Sequence, residues 1–445
     1  MPLSGCYYGR MRKKTAPTVH GETVYDGHCH VLNLEYLLLE SVQILYDMVR
    51  GTYPLGSGAP LDHVQPVVPD FELNNPLEEA ERLLAWVIQI SKAAFHTQAA
   101  NVRELRRVAA KVWGVPSLTI VPLMMDIYYL FSPPLAPATW EPPQPPRVAT
   151  RRQAHARALT ERVTSIVRGV RQRMATGDNG AVGRGGAIEK RIWAIVERVI
   201  DEKMKGAELP APGFARTAGF VRQFHDIMAL GETDARVRPF FALDARRPGA
   251  VEWVMNSGKV GPRGPFYGVK LYPRLGCHPG VPELAHLFRH CAKNGIPVTT
   301  HTSHRGFPDW FHVYADFGNP SGFERVLAEN RHLRIDFAHF GDRPSYQGPG
   351  RDWGARIASL MAEHEGVYSD LSCYTHDSAL DTWEKTYAPL DHVRERTMFG
   401  SDFNVLFFTE PGMTAENYYA RFLSRFQGEA LDRMACEVPA RFLGS

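Results

Sequence analysis

The sequence predicts an α/β fold, a distorted TIM (β/α)8 barrel with large helical insertions after its first and second strands. Short apolar strands alternate with helices, the mark of parallel βαβ units, and eight such strands can be counted from Val24 onward. Histidine, lysine and aspartate recur where those strands end, the position at which such barrels gather reactive groups. The length also fits, since 445 residues, 44% of them hydrophobic, can bury one large core and still carry insertions.

Residues 1–21 read as an irregular leader and 22–445 as the barrel domain. Arg10, Arg12, Lys13 and Lys14 have no apolar run behind them, so the start reads neither as a signal peptide nor as a membrane anchor. The first strand, VYDGHCH at 24–30, sets His28 and His30 two residues apart and therefore on one face, with Cys29 pointing away. Taken alone, that pair fits a metal chelate and a hydrogen-bonded or surface pair equally well. Leu34–Arg50 has near-helical apolar spacing and stops at Gly51, and a long helix is expected over Asn75–Trp113 with Pro76 near its start. A first insertion is placed at about 51–115, and the buried strand Ser117–Ile127 follows it, closing with Asp126.

A second insertion is placed at about 131–213. Its proline-rich run SPPLAPATWEPPQPP excludes regular structure, because proline lacks an N–H and restricts the residue before it. A basic helix (Arg151–Met174), a glycine-rich break and a further helix (Ile188–Lys205) come next, and the basic helix reads as a solvated face in preference to a docking surface. Beyond it the alternation is regular. Helix Phe214–Leu230 leads to strand Val237–Leu243, helix Ala250–Asn256 to strand Tyr267–Tyr272, and helix Pro282–Asn294 to strand Pro297–Thr302. Strand Leu333–His339, helix Trp353–Glu365, strand Val367–Leu371 and strand Met398–Asp402 complete the series.

The polar strand ends are His28 and His30, Lys270, His301, His339 and Asp402, which a single barrel rim would bring to one pocket. In that order the segments GHCH, GVKLYP, VTTHTSH, DFAHFGD and FGSD resemble the amidohydrolase superfamily of metal-dependent hydrolases. The resemblance covers the barrel and not the insertions. It implies that His28, His30 and Asp402 bind one divalent metal, that His301 and His339 bind a second, and that a carbamylated Lys270 bridges the two. It also implies that Asp402 takes the proton from the attacking hydroxide and passes it to the leaving group. Two readings stand for Lys270: the carbamylated bridge, or an unmodified cation near the substrate in a one-metal site where His28, His30, His301 and Asp402 hold the ion and His339 orients water or substrate. Zinc is the first choice of metal, with manganese or iron as alternatives that the same donors suit.

Around this rim, Arg274 could meet a substrate carboxylate through its guanidinium, and His304, Tyr272 and Asp126 are further substrate-binding candidates. Each has a plainer reading: a salt bridge for Arg274, a loop residue for His304, core packing for Tyr272 and a helix cap for Asp126. A net charge of +3 does not argue for nucleic acid or membrane, and six scattered cysteines form no disulfide framework, which fits a reducing cytoplasm. The expected partner is a small-molecule or peptide-like substrate, with a homodimer as the default assembly.

The leading expectation is a hydrolase that uses a metal-bound hydroxide on an amide, lactam, lactone or related C–N or C–O bond, the insertions forming a lid over an extended substrate. The first alternative is a one-metal decarboxylase or C–C hydrolase of an aromatic carboxylic acid. The second is a non-catalytic metal-binding barrel whose insertion recruits a partner.

Overall fold

The computed structural model describes residues 23–31, 97–130, 134–137, 217–304, 314–341, 352–403 and 413–445, together with 36, 37, 39–41, 43, 44, 47, 132, 306 and 405. The leader expected at 1–21, the helices expected over Arg151–Met174 and Ile188–Lys205, and most of both expected insertions lie outside the described residues.

Strands β1 (Val24–Cys29) and β2 (Leu118–Pro122) form a two-stranded sheet. Strands β3 (Phe240–Leu243), β4 (Gly268–Leu271), β5 (Val298–His301), β6 (Ile335–Ala338), β7 (Val367–Asp370) and β8 (Thr397–Met398) form a six-stranded sheet in chain order. Every pairing is parallel. Parallel bridges Ile120↔Val237 and Leu123↔Phe240 join β2 to the β3 side. On the other flank the Gly27 N–H donates to the Phe399 carbonyl (3.0 Å), the Asp402 N–H to His28 (2.8 Å) and the His30 N–H to Phe403 (3.1 Å).

The eighth strand is shorter than the sequence predicts. Its ladder ends at Met398, because the Phe399 N–H turns outward to the Met434 carbonyl (2.9 Å) and Asp402 adopts a left-handed backbone, φ 51°.

Helices form where sequence and burial agree. Pro282–Asn294 opens with proline in its first turn and closes at Gly295 with φ 62°, and it buries Leu284, Leu287, Phe288 and Cys291, an i, i+3, i+4, i+7 stripe. Each such side chain contributes about 1.5–3 kcal/mol when fully buried. The described end of the helix expected over Asn75–Trp113 is Gln98–Trp113, which packs into the main core through Val102, Leu105, Val108 and Trp113. The Trp113 indole N–H donates to the Tyr419 carbonyl at 3.0 Å.

A β-bulge decides what β1 presents. Asp26 pairs with Ile120 and Cys29 with Pro122, so three steps on β1 match two on β2. Tyr25 lies in an inner apolar cluster, whereas Val24 and Cys29 pack in the outer core. The extra residue shifts the alternation by one, so that His28 and His30 emerge on the side of Tyr25 and Cys29 does not. The inner cluster also contains Val121, Leu123, Phe240, Tyr368 and Met398, and the terminal helix Val438–Leu443 closes it with Val438, Phe442 and Leu443.

Candidate metal centre

Above that apolar floor the strands end in donors. His28 is fully buried, its Nδ1 2.7 Å from Asp370 Oδ2 and its Nε2 3.3 Å from Asp402 Oδ1. His30 donates through Nδ1 to the Leu123 carbonyl at 2.8 Å, an assignment that leaves the Nε2 lone pair facing Asp402 Oδ1 at 3.3 Å. His28 Nε2 and Asp402 Oδ1 are buried and make no well-formed hydrogen bond despite their proximity.

Burial works to lower the His28 pKa, but the Asp370 and Asp402 carboxylates together push it up to about 9. His30, where burial dominates, falls to about 3. Burial would raise Asp402, yet His28, His30 and His339 hold it well below the usual carboxylate range. Buried imidazoles facing an ionised carboxylate are donors that could hold a cation.

Asp370 organises this rim. Besides His28, it accepts the His339 N–H (3.0 Å) and the Ser372 N–H (2.9 Å), and the Ser372 hydroxyl also bonds to it. The Ser372 hydroxyl lies 2.8 Å from His339 Nδ1, and His339 Nε2 lies 3.1 Å from His301 Nδ1. Asp370 therefore fixes the orientation of one histidine directly and anchors the backbone of another, the job of a carboxylate behind a metal-ligating imidazole. Burial lowers the pKa of His339, favouring its neutral form.

Among the described residues, three trios of donor atoms lie within 4.8 Å of one another: His28, His30 and Asp402; His28, His339 and Asp370; and His339, Cys373 and Asp402. In the first, Asp370 engages His28 through Nδ1 and leaves Nε2 to face Asp402, so these three residues could hold a cation. His301 belongs to none of these trios and joins the cluster through His339.

Lys270 is 3% exposed, and its ammonium has no hydrogen-bond partner. Burial brings its pKa down to about 8 against the pull of Asp370, Asp336 and Asp402. Asp336, fully buried on β6, is held well above its usual range by burial and by Asp370.

The remaining candidates divide into two groups. Tyr272 and Arg274 approach His301: their rings or side chains converge on Gly306, where an added Cβ would sit 2.7 Å from both Arg274 Nη1 and His301 Nε2. The Tyr272 and His301 ring centroids are 4.2 Å apart, and Arg274 is 1% exposed. Asp126 and His304 are engaged elsewhere. Asp126 pairs with Arg247 at 2.7 and 2.8 Å, and His304 lies against the Trp353 indole with centroids 3.7 Å apart. A small, narrow pocket is lined by Met124, Asp126, Asp244, Lys270, Tyr272 and Cys277.

Sequence reasoning missed Asp370, Asp336, Ser372 and Cys373, although the strand VYSDL carried the first of them. It also missed Asp26, which receives the Ser401 N–H (2.9 Å), the Ser401 hydroxyl (2.5 Å) and the Tyr419 hydroxyl (2.8 Å) and so pins the turn bearing Asp402. A polar residue on an otherwise apolar strand was the available signal for Asp26, Asp336 and Asp370.

Histidines and carboxylates gathered at the carboxyl ends of parallel strands are the arrangement of α/β enzymes. A sequence model described as amidohydrolase matches residues 214–444, and the chain belongs to that family. No curated protein matches the sequence. Among solved structures, 2,6-dihydroxybenzoate decarboxylase from Rhizobium is 16% identical, with a TM-score of 0.35 over 50% of this chain and 76% of its own. An amidohydrolase 2 from Bifidobacterium longum subsp. infantis is 14% identical, with a TM-score of 0.33 over 56% and 86%. The dihydroorotase of Campylobacter jejuni is 14% identical, with a TM-score of 0.29 over 50% and 71%. Family membership rests on the sequence match alone.

Proposed function

We propose that the chain is a metal-dependent hydrolase of amide, lactam or lactone bonds, its ion held by His28, His30 and Asp402 with His301 and His339 beside them. The observation that carries this reading is the buried approach of His28 Nε2 and His30 Nε2 to one oxygen of Asp402, 3.3 Å in each case. Zinc suits these donors best. Residues 22–445 would form one barrel domain, a reading supported by the hydrogen bonds from β1 to Phe399 and Phe403 and by the bridges from β2 to the β3 side.

A bound divalent ion would supply Lewis-acid activation of water or of the scissile carbonyl. Asp402 takes the proton of the attacking water and returns it to the leaving group. Neutral His339 holds the water or substrate in register, and Asp370 keeps His28 turned towards Asp402. Tyr272 and Arg274 hold the substrate's polar end near His301. Lys270, if carbamylated, would help to hold a second ion and otherwise stays a buried cation, so metal stoichiometry discriminates between the two.

The test is elemental analysis of the purified chain, followed by assay of the zinc-loaded protein on cyclic amides, lactones and hydroxybenzoates. Asp402→Asn is expected to lower turnover about 10²–10⁴-fold, and unchanged turnover overturns the mechanism. A decarboxylase of aromatic acids is the second reading, favoured by the burial of Arg274 beside Tyr272 and His301. Release of carbon dioxide from a hydroxybenzoate with no turnover of amides or lactones would select it.

A further inference from the structure

We propose that Cys373 is a ligand of the metal centre, its sulfur meeting the ion between His339 and Asp402 and making the site selective for thiophilic ions. The proposal rests on the metal-centre reading above and adds a donor to it. Cys373 lies three residues beyond the end of β7, and its Sγ is 2.6 Å from Asp402 Oδ2. That sulfur, a ring nitrogen of His339 and an oxygen of Asp402 lie within 4.8 Å of one another. On the other side of the same carboxylate, buried Asp402 Oδ1 and His28 Nε2 make no well-formed hydrogen bond. The Asp402 carboxylate thus stands between the Cys373 sulfur on Oδ2 and the imidazoles of His28 and His30 on Oδ1, with His339 beside it.

The backbone follows the same pattern. The non-glycine residues with positive φ among the described residues are His339 (64°), Phe340 (45°), Cys373 (61°) and Asp402 (51°), so three of the four are the three donors. Cysteine gains nothing intrinsic from that conformation, which costs a non-glycine residue energy. Here it brings Sγ to the carboxylate. Cys29 is the contrast: it lies between two histidines, yet its thiol faces the outer core and approaches the Val121 carbonyl at 3.5 Å.

On coordination the S–H bond breaks, the proton passes to solvent, and the sulfur lone pair enters the ion's shell with no change of oxidation state. A thiolate favours zinc or cobalt over magnesium, calcium or manganese, which prefer oxygen donors.

The experiment reconstitutes the metal-stripped full chain with cobalt(II) and records its near-ultraviolet absorption. A thiolate-to-cobalt charge-transfer band is expected in the parent chain and in Cys29→Ala, and its loss is expected in Cys373→Ser and Cys373→Gly. Glycine accepts the left-handed backbone freely, so that variant keeps the fold. X-ray absorption of the zinc form should show a zinc–sulfur shell at about 2.3 Å that both Cys373 variants lack. Bound cobalt without the band, or a band that survives in both Cys373 variants, overturns the sulfur ligand and leaves the metal centre standing. Failure of the parent chain to retain cobalt overturns both.

Discussion

Tyr25 and Phe240, near the amino ends of β1 and β3, meet Phe442 and Leu443 in an apolar floor with Val121, Tyr368 and Met398, while His28, His30, Lys270, Asp370 and Asp402 gather around buried polar atoms of His28, Lys270 and Asp402 that make no well-formed hydrogen bond. The change takes only a few residues on one strand: Tyr25 to His28 on β1, and Tyr368 to Asp370 on β7. Floor residues gain free energy by leaving water, and rim residues lose it unless something compensates them. The two ends therefore carry separate tasks, and substitutions should separate stability from ion binding.

The largest effect is expected at the floor. Phe442 is 1% exposed, with its ring 6.1 Å from Phe240 and 5.3 Å from Tyr368. Phe442→Ala should cost about 3–5 kcal/mol in urea unfolding, with zinc affinity of the remaining folded protein close to that of the parent. A loss under about 1 kcal/mol would remove the floor as a distinct structural unit.

Buried polarity away from the rim offers a second measure. Glu40 accepts the Thr217 hydroxyl at 2.5 Å and the Phe220 N–H at 3.1 Å, and burial lifts its pKa from 4.5 to about 7 against the pull of Arg247. The folded chain then holds a proton that the unfolded chain releases. Stability from this group is complete at acid pH and falls as pH climbs from about 4.5 to 7, by about 3 kcal/mol. Glu40→Gln should lack that slope. Parallel unfolding curves for the two proteins across this window would show that Arg247 keeps Glu40 ionised.

The smallest effect in free energy is expected from Asp370→Asn, which alters the support of His28 without removing a ligand. Zinc affinity, measured by competition with a chelator, should fall about 10–100-fold. Parent-like affinity would mean that Asp370 serves the fold and not the rim.

How much of this was legible depended on the range of the interaction. The bounds of helix Pro282–Asn294 came directly from the sequence, because proline and glycine punctuate it locally. Strand positions were legible but their lengths were not: the run Val237–Leu243 enters the ladder at 240–243, where its neighbours end the pairing. The placement of His28 and His30 on one face was readable from period two, whereas the bulge that aims them inward is a property of two strands. Asp370 stood out as a polar residue on its strand, but its partner did not, since His28 stands 342 residues away. Asp402 was expected on a strand and instead stands beyond the ladder in a left-handed turn.

The hydrogen bonds that tie β1 to Phe399, Asp402 and Phe403 also set a timetable. In a growing chain, β1 waits for partners about 375 residues downstream, as the Asp26–Ser401 contact marks. Until they emerge, the polar edge of β1 is open to wrong pairing, and until Phe442 and Leu443 follow, the floor has no lid from below. Contacts of such long range slow folding and prolong that exposure. In a nascent chain the side chains of His28 and His30 therefore stand on a strand whose second edge has no partner until Phe399, Asp402 and Phe403 are made.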